Sequence, residues 1–109
     1  MASLRKIQSF VKRSGRLTAS QEKGLTQLWG DYAIEPQGVL DFAQIFGNVH
    51  DVVLEIGFGN GDTLVEMAQD NPKLNYVGVE VYEAGIGCLI NSTNIKQLNN
   101  VKVMRGDAI

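Results

Sequence analysis

The sequence has 109 residues, of which 44% are hydrophobic and 20% are charged, with two prolines and one cysteine. This length suffices for one small globular domain and excludes two. The lone cysteine, Cys88, excludes an internal disulfide and favours a reducing compartment such as the cytoplasm. No apolar run reaches the roughly 18 residues that a membrane-spanning helix requires.

The net charge of −2 conceals a division along the chain. Residues 1–23 contain six of the ten Lys and Arg residues and one acid, a net of +5, whereas residues 24–109 contain the other four and eleven acids, a net of −7. A basic segment of this kind binds nucleic-acid phosphates or serves as an organelle transit peptide. Since it lacks the apolar stretch of a secretory signal, we expect no secretion.

Residues 1–50 are predicted to form a basic arm followed by two short helices. The first helix begins with a capping box at Thr18–Gln21 and continues with apolar residues at helical spacing, namely Leu25, Leu28 and Trp29. The second spans Leu40–Phe46, and Gly47 is placed to end it in the left-handed conformation. Core packing is expected for the aromatic residues Trp29, Phe42 and Phe46.

From residue 51 onward, predicted strands and helices alternate. Short apolar runs rich in β-branched residues predict strands at residues 52–54, 76–79 and 101–104. Helical patterns fill residues 62–70 and 83 to about 97 between them. Because successive strands linked by helices form parallel sheets, the predicted fold class is α/β, in the order strand–helix–strand–helix–strand.

A glycine-rich turn follows the first strand, with the sequence Glu55-Ile56-Gly57-Phe58-Gly59-Asn60-Gly61. Alternate glycines allow a tight turn and let a ligand lie against bare main chain. The dinucleotide fingerprint G-x-G-x-x-G would require a glycine at Asp62, where an acid instead repels a pyrophosphate at the helix start. A Walker phosphate loop is excluded because no Gly-Lys-Ser/Thr occurs. The turn therefore suits a ligand that lacks phosphate and carries some positive charge.

Three acids are predicted at the carboxyl ends of adjacent strands, where parallel sheets bind ligands: Glu55, Glu80 and Asp107. A carboxylate at Glu80 can accept hydrogen bonds from the hydroxyls of a ribose, and one at Asp107 can accept from an exocyclic amine such as that of adenine. Any one of these acids alone could equally be a solvated or capping residue. Together with the turn they predict a nucleoside site.

Two other residues are interpreted conservatively. Cys88 lies on a predicted helix beside Leu89, which favours packing over a nucleophilic role. The single histidine, His50, with a single cysteine cannot supply the usual four-ligand zinc site, so no metal is expected.

The segment Glu55–Gly61, with Glu80 and Asp107, resembles the cofactor site of class I S-adenosylmethionine-dependent methyltransferases. A longer series covering most of the chain resembles the bacterial tRNA (guanine-N7-)-methyltransferases: Phe10–Thr18, Leu28–Trp29, Leu54–Gly61, Gly78–Val81, Gly85–Gly87 and Arg105–Ala108. The resemblance implies a Rossmann-like fold, S-adenosylmethionine as cofactor and tRNA as partner.

The resemblance also implies roles for particular residues. The cofactor would contact Glu55, Glu80 and Asp107, with Gly57, Gly59 and Gly61 shaping the turn around it. The basic residues Lys12, Arg13 and Arg16 would lie near tRNA. The domain organisation implied is a basic arm with short helices over residues 1–50 and the first half of the cofactor-binding domain over residues 51–109.

This sequence departs from the family in length and in one motif. Members of the family are roughly twice as long, and their second half carries a Pro-Asp-Pro-Trp motif with the catalytic acid. Neither Pro36 nor Pro72 lies in such a motif, so we expect no catalytic residue in this chain and no activity from it alone. Without a fourth strand to pair with it, the first strand of this chain, residues 52–54, would form an exposed apolar edge. Such an edge predicts marginal stability or self-association.

Two alternatives to the methyltransferase interpretation stay open. The chain could be a truncated remnant that binds S-adenosylmethionine or RNA without turnover, as the missing motif indicates. It could also be a nicotinamide-dependent dehydrogenase domain, although Asp62 in place of the third fingerprint glycine argues against that class.

Overall fold

The computed structural model of the protein describes residues 16–36 and 38–106. Three parallel strands form one sheet in the order β1-β2-β3, which confirms the predicted α/β class. The described elements are, in chain order, α1 (Ala19–Leu25), α2 (Trp29–Tyr32), α3 (Phe42–Phe46), β1 (Val52–Ile56), α4 (Asp62–Asp70), β2 (Asn75–Glu80), α5 (Glu83–Ile95) and β3 (Val101–Arg105).

The three strands lie where the apolar runs predict them, with small extensions at their ends. The central strand β2 is buried along its whole length, which explains why its middle, residues 76–79, is a continuous apolar run rather than an alternating pattern. The helices between the strands also agree with the sequence, since α4 spans the predicted residues and α5 ends two residues early, at Ile95.

The first predicted helix is divided into α1 and α2. Its capping box is confirmed, because Thr18 Oγ1 accepts from the Gln21 amide at 3.2 Å and Gln21 Oε1 accepts from the Thr18 amide at 2.9 Å. At the other end, the amide and the hydroxyl of Thr26 both donate to the Glu22 carbonyl, at 3.0 and 2.8 Å. A Thr hydroxyl that competes for a helical carbonyl favours a helix end, and α1 stops there.

The second predicted helix is shorter at its start and ends as expected. It begins at Phe42, because Asp41 Oδ1 accepts from the Gln44 amide at 3.2 Å and so caps the first turn. Gly47, with φ of 77°, ends it in the left-handed conformation, as predicted.

The core consists of two apolar clusters, one on each face of the sheet. The larger lies under α4 and α5 and is centred on Leu64, Ile86 and Leu89; Trp29 packs against it from α2. The smaller is formed by Ile34, Val77, Val79 and Met104, and receives Phe42 and Phe46 from α3. The three aromatic residues are therefore half-buried contacts of the core.

The segment before residue 50 is joined to the sheet itself. The Ile34 amide donates to the Val103 carbonyl at 2.8 Å, and Ala33 forms a parallel bridge with Val103. Residues 33 and 34 thus extend the sheet beyond β3. The N-terminal helices and the strands consequently share one core over the described residues.

At the opposite side of the sheet, β1 is an edge strand. Over residues 16–36 and 38–106, β1 pairs with β2 alone, and Leu54 and Ile56 are 56% and 52% exposed. The exposed apolar edge expected from the sequence is therefore present. Within the same ranges, no helix has the length and apolar character needed to cross a membrane.

Candidate functional site

The carboxyl ends of the strands meet at one edge of the sheet, because all three strands are parallel. β1 ends at Ile56, β2 at Glu80 and β3 at Arg105, and Glu80 lies opposite Arg105 in register. The glycine-rich turn leaves β1 at this edge, where the Gly57 amide donates to the Val79 carbonyl at 2.7 Å. The turn therefore starts as a direct continuation of the β1–β2 ladder.

The alternate glycines of the turn all occupy the left-handed region. Gly57, Gly59 and Gly61 have φ values of 73°, 69° and 87°. Side chains other than glycine adopt these angles only at a cost of about 1–2 kcal/mol per residue. This backbone conformation explains why glycine recurs at every second position.

Two side chains hold the turn against the core. Phe58 packs over Gly78 of β2 so closely that a β-carbon at Gly78 would lie 2.7 Å from Phe58 Cδ2. Gly61 packs on α5, where a β-carbon would lie 2.7 Å from Leu89 Cδ1. The backbone between these two contacts is exposed at Gly59 and Asn60. The turn thus presents main chain to the outside while its ends are anchored.

Glu80 is the buried acid of this edge, with 2% of its surface exposed. Its Oε1 accepts from the Gly59 amide at 2.7 Å, and its Oε2 accepts from the Val81 and Tyr82 amides at 3.1 and 3.2 Å. Burial of a carboxylate requires such hydrogen bonds to offset its lost hydration. The side chain thereby connects the end of β2, the glycine turn and the start of α5.

The hydrogen bonds of the turn bear on which ligand it suits. A phosphate at a glycine turn uses backbone amides and the helix N-terminus. Here the Gly59 amide donates to Glu80, the Asp62 amide donates to Asn60 Oδ1 at 3.1 Å, and Asp62 itself places a carboxylate in the first turn of α4. The site therefore disfavours a pyrophosphate and favours a ligand with positive charge.

The other sequence-predicted residues are placed as follows. Glu55 is half-buried in β1, opposite Gly78 in register, so it lies on the strand that leads into the turn. Arg16 is exposed and precedes the cap of α1. Asp107, Lys12 and Arg13 lie outside the described residues.

Three contributors to the site carry weak sequence signals. Phe58 is an aromatic residue between two glycines, a position where an apolar side chain indicates an anchor. Asn60 lies two residues before its hydrogen-bond partner, the spacing of an Asx turn. Gly85, near the start of α5, faces the Gly59 carbonyl oxygen, and a β-carbon there would collide with it. The roles of Phe58 and Asn60 can be inferred from the local sequence, whereas the contact of Gly85 with Gly59 is visible only in the tertiary structure.

A cluster of side chains surrounds Arg105 at the carboxyl end of β3, beside the glycine-rich turn's edge of the sheet. Its guanidinium forms an ion pair with Glu83 at 3.1 Å and lies 4.8 Å from the centroid of the Trp29 ring. The Trp29 indole N–H donates to Glu35 Oε1 at 2.9 Å. Stacking and ion pairing of this kind bring α2 and the first turn of α5 together beside the end of β3.

A groove of about 360 Å³ lies at the other end of β3 and is lined in part by Tyr32, Phe46 and Lys102. Lys102 Nζ donates to the Asp31 carbonyl at 2.7 Å. Burial lowers the pKa of Lys102, and the nearby Asp31 charge opposes that shift. Because ligands of parallel sheets bind at the carboxyl ends of the strands, the groove is not the candidate site despite its size.

A metal site finds no support in the part of the chain that the structure describes. Over residues 16–36 and 38–106, no three His, Cys, Asp or Glu side chains are grouped to hold an ion. Cys88 is half-buried on α5 and lies 3.4 Å from Gln21 Nε2.

Comparison with known proteins gives one family. The family model described as "Putative methyltransferase" matches residues 49–109. The tRNA (guanine-N(7)-)-methyltransferase of Mannheimia succiniciproducens is 47% identical over 105 residues, covering 95% of this chain and 42% of that protein. The enzymes of the same name from Colwellia psychrerythraea and Francisella philomiragia are 46% and 45% identical, covering 97% and 98% of this chain. The chain spans 44% and 48% of the lengths of those two relatives.

Proposed function

The chain belongs to this methyltransferase family, and from that membership we propose that it supplies the S-adenosylmethionine-binding part of a tRNA (guanine-N7-)-methyltransferase. The names of the relatives support this substrate, since the similarity extends over at least 95% of the chain. The observation that carries the proposal is the buried Glu80 carboxylate beneath a glycine turn whose Gly57 and Gly59 amides already donate within the chain. That arrangement suits a cationic nucleoside cofactor better than a phosphate-bearing one.

The proposed contacts follow the edge of the sheet. The exposed main chain of Gly57 and Gly59 lies against the cofactor, and Gly61, which is buried against α5, helps to shape the turn around it. Glu80 accepts from the ribose, and Glu55 adds negative charge beside the turn. Asp107 accepts from the adenine amine. When bound, S-adenosylmethionine supplies an electrophilic methyl group on a sulfonium.

The proposed reaction makes modest demands on acid–base chemistry. Guanine N7 would attack the methyl carbon with its in-plane lone pair while the carbon–sulfur bond breaks and S-adenosylhomocysteine leaves. Because N7 carries no proton, no general base is needed for the attack. The protein therefore acts mainly by positioning and by electrostatics. The residues of this chain fulfil the binding part of that task, and the Pro-Asp-Pro-Trp motif of the resembled family does not occur in it.

Cofactor binding is the first test of this proposal. Calorimetric titration with S-adenosylmethionine is expected to show binding to the 109-residue chain and at least tenfold weaker binding to Glu80→Ala, since one charge-assisted hydrogen bond contributes about 1.5–3 kcal/mol. Glu83→Ala, which removes a neighbouring exposed carboxylate, is the matched control and is expected to bind normally. Unchanged binding in Glu80→Ala would refute the ribose contact, and binding of NADH would favour the dehydrogenase alternative.

The basic arm is proposed to bind tRNA phosphates through Lys12, Arg13 and Arg16. The supporting observation is the net charge of +5 over residues 1–23, with Arg16 exposed beside α1. Replacing the three residues by glutamine should weaken tRNA binding and lower the slope of log K against log salt by about 0.7–0.9 per lost phosphate contact. A slope equal to that of the unchanged chain would contradict contact between this arm and tRNA.

The alternative function that the sequence leaves open is a chain that binds cofactor or RNA without turnover. Methyl transfer from labelled S-adenosylmethionine to tRNA distinguishes the two when measured for the 109-residue chain and for a version extended with the Pro-Asp-Pro-Trp half of a relative. We expect activity only in the extended version. Transfer by the short chain would refute the non-catalytic alternative, and an inactive extended version would support it.

We also propose that the exposed edge of β1 mediates self-association and that the protein acts in the cytoplasm, where tRNA is modified. The first is supported by the exposure of Leu54 and Ile56 on an edge strand, which is a template for pairing. The second rests on the names of the relatives and on the lone cysteine.

A further inference from the structure

The sequence contains one Asn–Gly pair, Asn60–Gly61, and it lies in the glycine-rich turn. An asparagine followed by glycine readily loses its side-chain amide, because no β-carbon hinders the approach of the next backbone nitrogen to Cγ. Every other asparagine of the sequence precedes a residue with a β-carbon, and Asn71 precedes a proline, which has no N–H to give up. The sequence therefore indicates position 60 as the asparagine most open to this reaction.

The structure brings the two reacting atoms into one hydrogen-bonded ring. Asn60 is exposed, and its Oδ1 accepts from the Asp62 amide at 3.1 Å. The ring that this bond closes contains both Asn60 Cγ and the Gly61 nitrogen, so the side chain is folded back over the peptide group that would attack it. The Gly61 amide donates to the Phe58 carbonyl at 3.2 Å, a longer bond than the 2.7 Å bond of the Gly59 amide. The attacking nitrogen is thus held near its target by a comparatively weak bond.

The Asp62 amide also has a chemical effect on the Asn60 side chain. Attack of a nitrogen on Cγ places negative charge on Oδ1. A backbone N–H that already donates to this oxygen stabilises the charge as it develops, as in an oxyanion hole. The turn therefore supplies both the approach of the nitrogen and a donor for the intermediate.

We propose that Asn60–Gly61 is a self-modifying site, at which the folded chain converts Asn60 to aspartate or isoaspartate. The Gly61 nitrogen gives its proton to a base from solvent and bonds to Cγ, and the Cγ–Nδ2 bond breaks as ammonia leaves. Water then opens the five-membered imide at either carbonyl; one opening gives aspartate, and the other gives isoaspartate, in which the main chain runs through the former side chain. Water is consumed, ammonia is released, and nothing is oxidised or reduced.

Isoaspartate would lengthen the main chain of a turn that is anchored at both ends. Gly61 is seated against Leu89 of α5. Phe58 packs over Gly78 of β2. An extra main-chain carbon between these contacts must displace one of them, so we expect the isoaspartate form to lose order at the start of α4. Weaker binding of S-adenosylmethionine should follow, and this last effect alone rests on the proposed function.

Peptide mapping of the folded 109-residue chain, aged in neutral buffer, tests the reaction. Cleavage after lysine and arginine yields residues 24–73 as one peptide, which contains Asn48 and Asn71 as internal controls for Asn60. Electron-transfer fragmentation locates the mass gain of an amide that becomes an acid, and it distinguishes isoaspartate from aspartate. We expect the gain at position 60 before any at the two controls. No gain at position 60, or an earlier gain at Asn48 or Asn71, would overturn the proposal.

The contribution of the fold is tested by the rate in urea. Because the turn keeps the reacting atoms in one ring, we expect the folded chain to react at least about one tenth as fast as the unfolded chain. A slower reaction would mean that the fold shields Asn60, and it would overturn the proposal. Asn60→Gln, in which attack would close a larger ring, should show no mass gain at residue 60. A gain there would contradict attack by the Gly61 nitrogen.

Titration with S-adenosylmethionine separates this site from the proposed function. We expect the isoaspartate form, isolated by ion exchange, to bind about three- to tenfold more weakly than the fresh chain, the effect of losing an ordinary hydrogen bond. Equal binding by the two forms would refute the effect on the cofactor. A fresh chain that does not bind, but still reacts at position 60, would refute the proposed function and leave the modification site supported.

Discussion

Gly61 is the residue at which the turn, α4 and α5 meet. It precedes the first residue of α4 with φ of 87°, and it faces Leu89 of α5 with no space for a side chain. Two separate constraints, one on the backbone angle and one on volume, therefore act on the same residue.

A pair of alanine substitutions separates these constraints. Gly61→Ala should lower the free energy of unfolding by about 2–4 kcal/mol, because it adds crowding against Leu89 to the cost of a positive φ. Gly38→Ala, where φ is 67° and no atom lies within 4 Å of the added carbon, should cost only about 1–2 kcal/mol. The measurement is urea unfolding of both variants.

Equal losses in the two variants would mean that Leu89 moves aside and that the backbone angle alone is constrained at Gly61. A loss at Gly38→Ala larger than at Gly61→Ala would contradict the crowding altogether.

For single residues, the sequence predicts which side chains lie at the carboxyl end of the sheet but not which hydrogen bonds they make. Spacing along the chain places Glu80 at the end of a strand beside the turn, as the structure has it. It does not reveal that the carboxylate turns back to accept from Gly59, since that depends on the distance between two segments 21 residues apart. A ribose contact and a contact within the chain require the same residue type at the same position, so local pattern cannot distinguish them.

Among the elements, the closest helix contact joins α1 to α5. A β-carbon on Gly24 would lie 2.5 Å from the Gly87 carbonyl oxygen, and one on Gly87 would collide with the backbone of Gln21. Backbones this close exclude side chains from the crossing. The position of α1 on α5 therefore depends on these two glycines.

Gly24→Ala is therefore expected to destabilise the protein although alanine favours helix formation. We predict a loss of about 1–3 kcal/mol from crowding, partly offset by the gain of about 1 kcal/mol in helix propensity. Gly30→Ala in α2, where no atom lies within 4 Å, is the control and should be neutral or stabilising. Thermal unfolding of the two variants under one condition makes the comparison; a Gly24→Ala that melts at or above Gly30→Ala would refute the close crossing.

Element types follow from the sequence more reliably than the N-terminal boundaries. After residue 51, apolar strands alternate with helices, and this order predicts a parallel sheet. The middle of β2 is a continuous apolar run because the strand is buried on both faces. The break between α1 and α2 falls at Thr26, whose side chain bonds the Glu22 carbonyl, and the bridge from Ala33 to Val103 joins segments far apart in sequence. Neither has a periodic signature.

Over residues 16–36 and 38–106, one edge of the sheet is covered and the other is open. Residues 33 and 34 cover the outer edge of β3, whereas Leu54 and Ile56 remain more than half exposed on β1. An exposed apolar strand is a pairing site for a second chain.

We therefore expect the 109-residue chain to self-associate in sedimentation velocity experiments as its concentration is raised. Leu54→Lys should weaken that association at least tenfold, because a charge on an edge strand opposes strand pairing. Ile95→Lys changes an apolar residue that is 71% exposed on α5, away from the edge, and should have no such effect. A wild-type chain that stays monomeric at all concentrations would refute the proposal, as would equal effects of the two substitutions.

The bridge between Ala33 and Val103 also has a consequence for the order in which the protein is made. β1, β2 and β3 pair with their neighbours in sequence, so these pairings are available as the chain emerges from the ribosome. Residues 33 and 34, however, find their partner only once β3 has been synthesised. The crossing of α1 and α5 can therefore form before β3 is made, whereas residues 33 and 34 take their place beside β3 only after it.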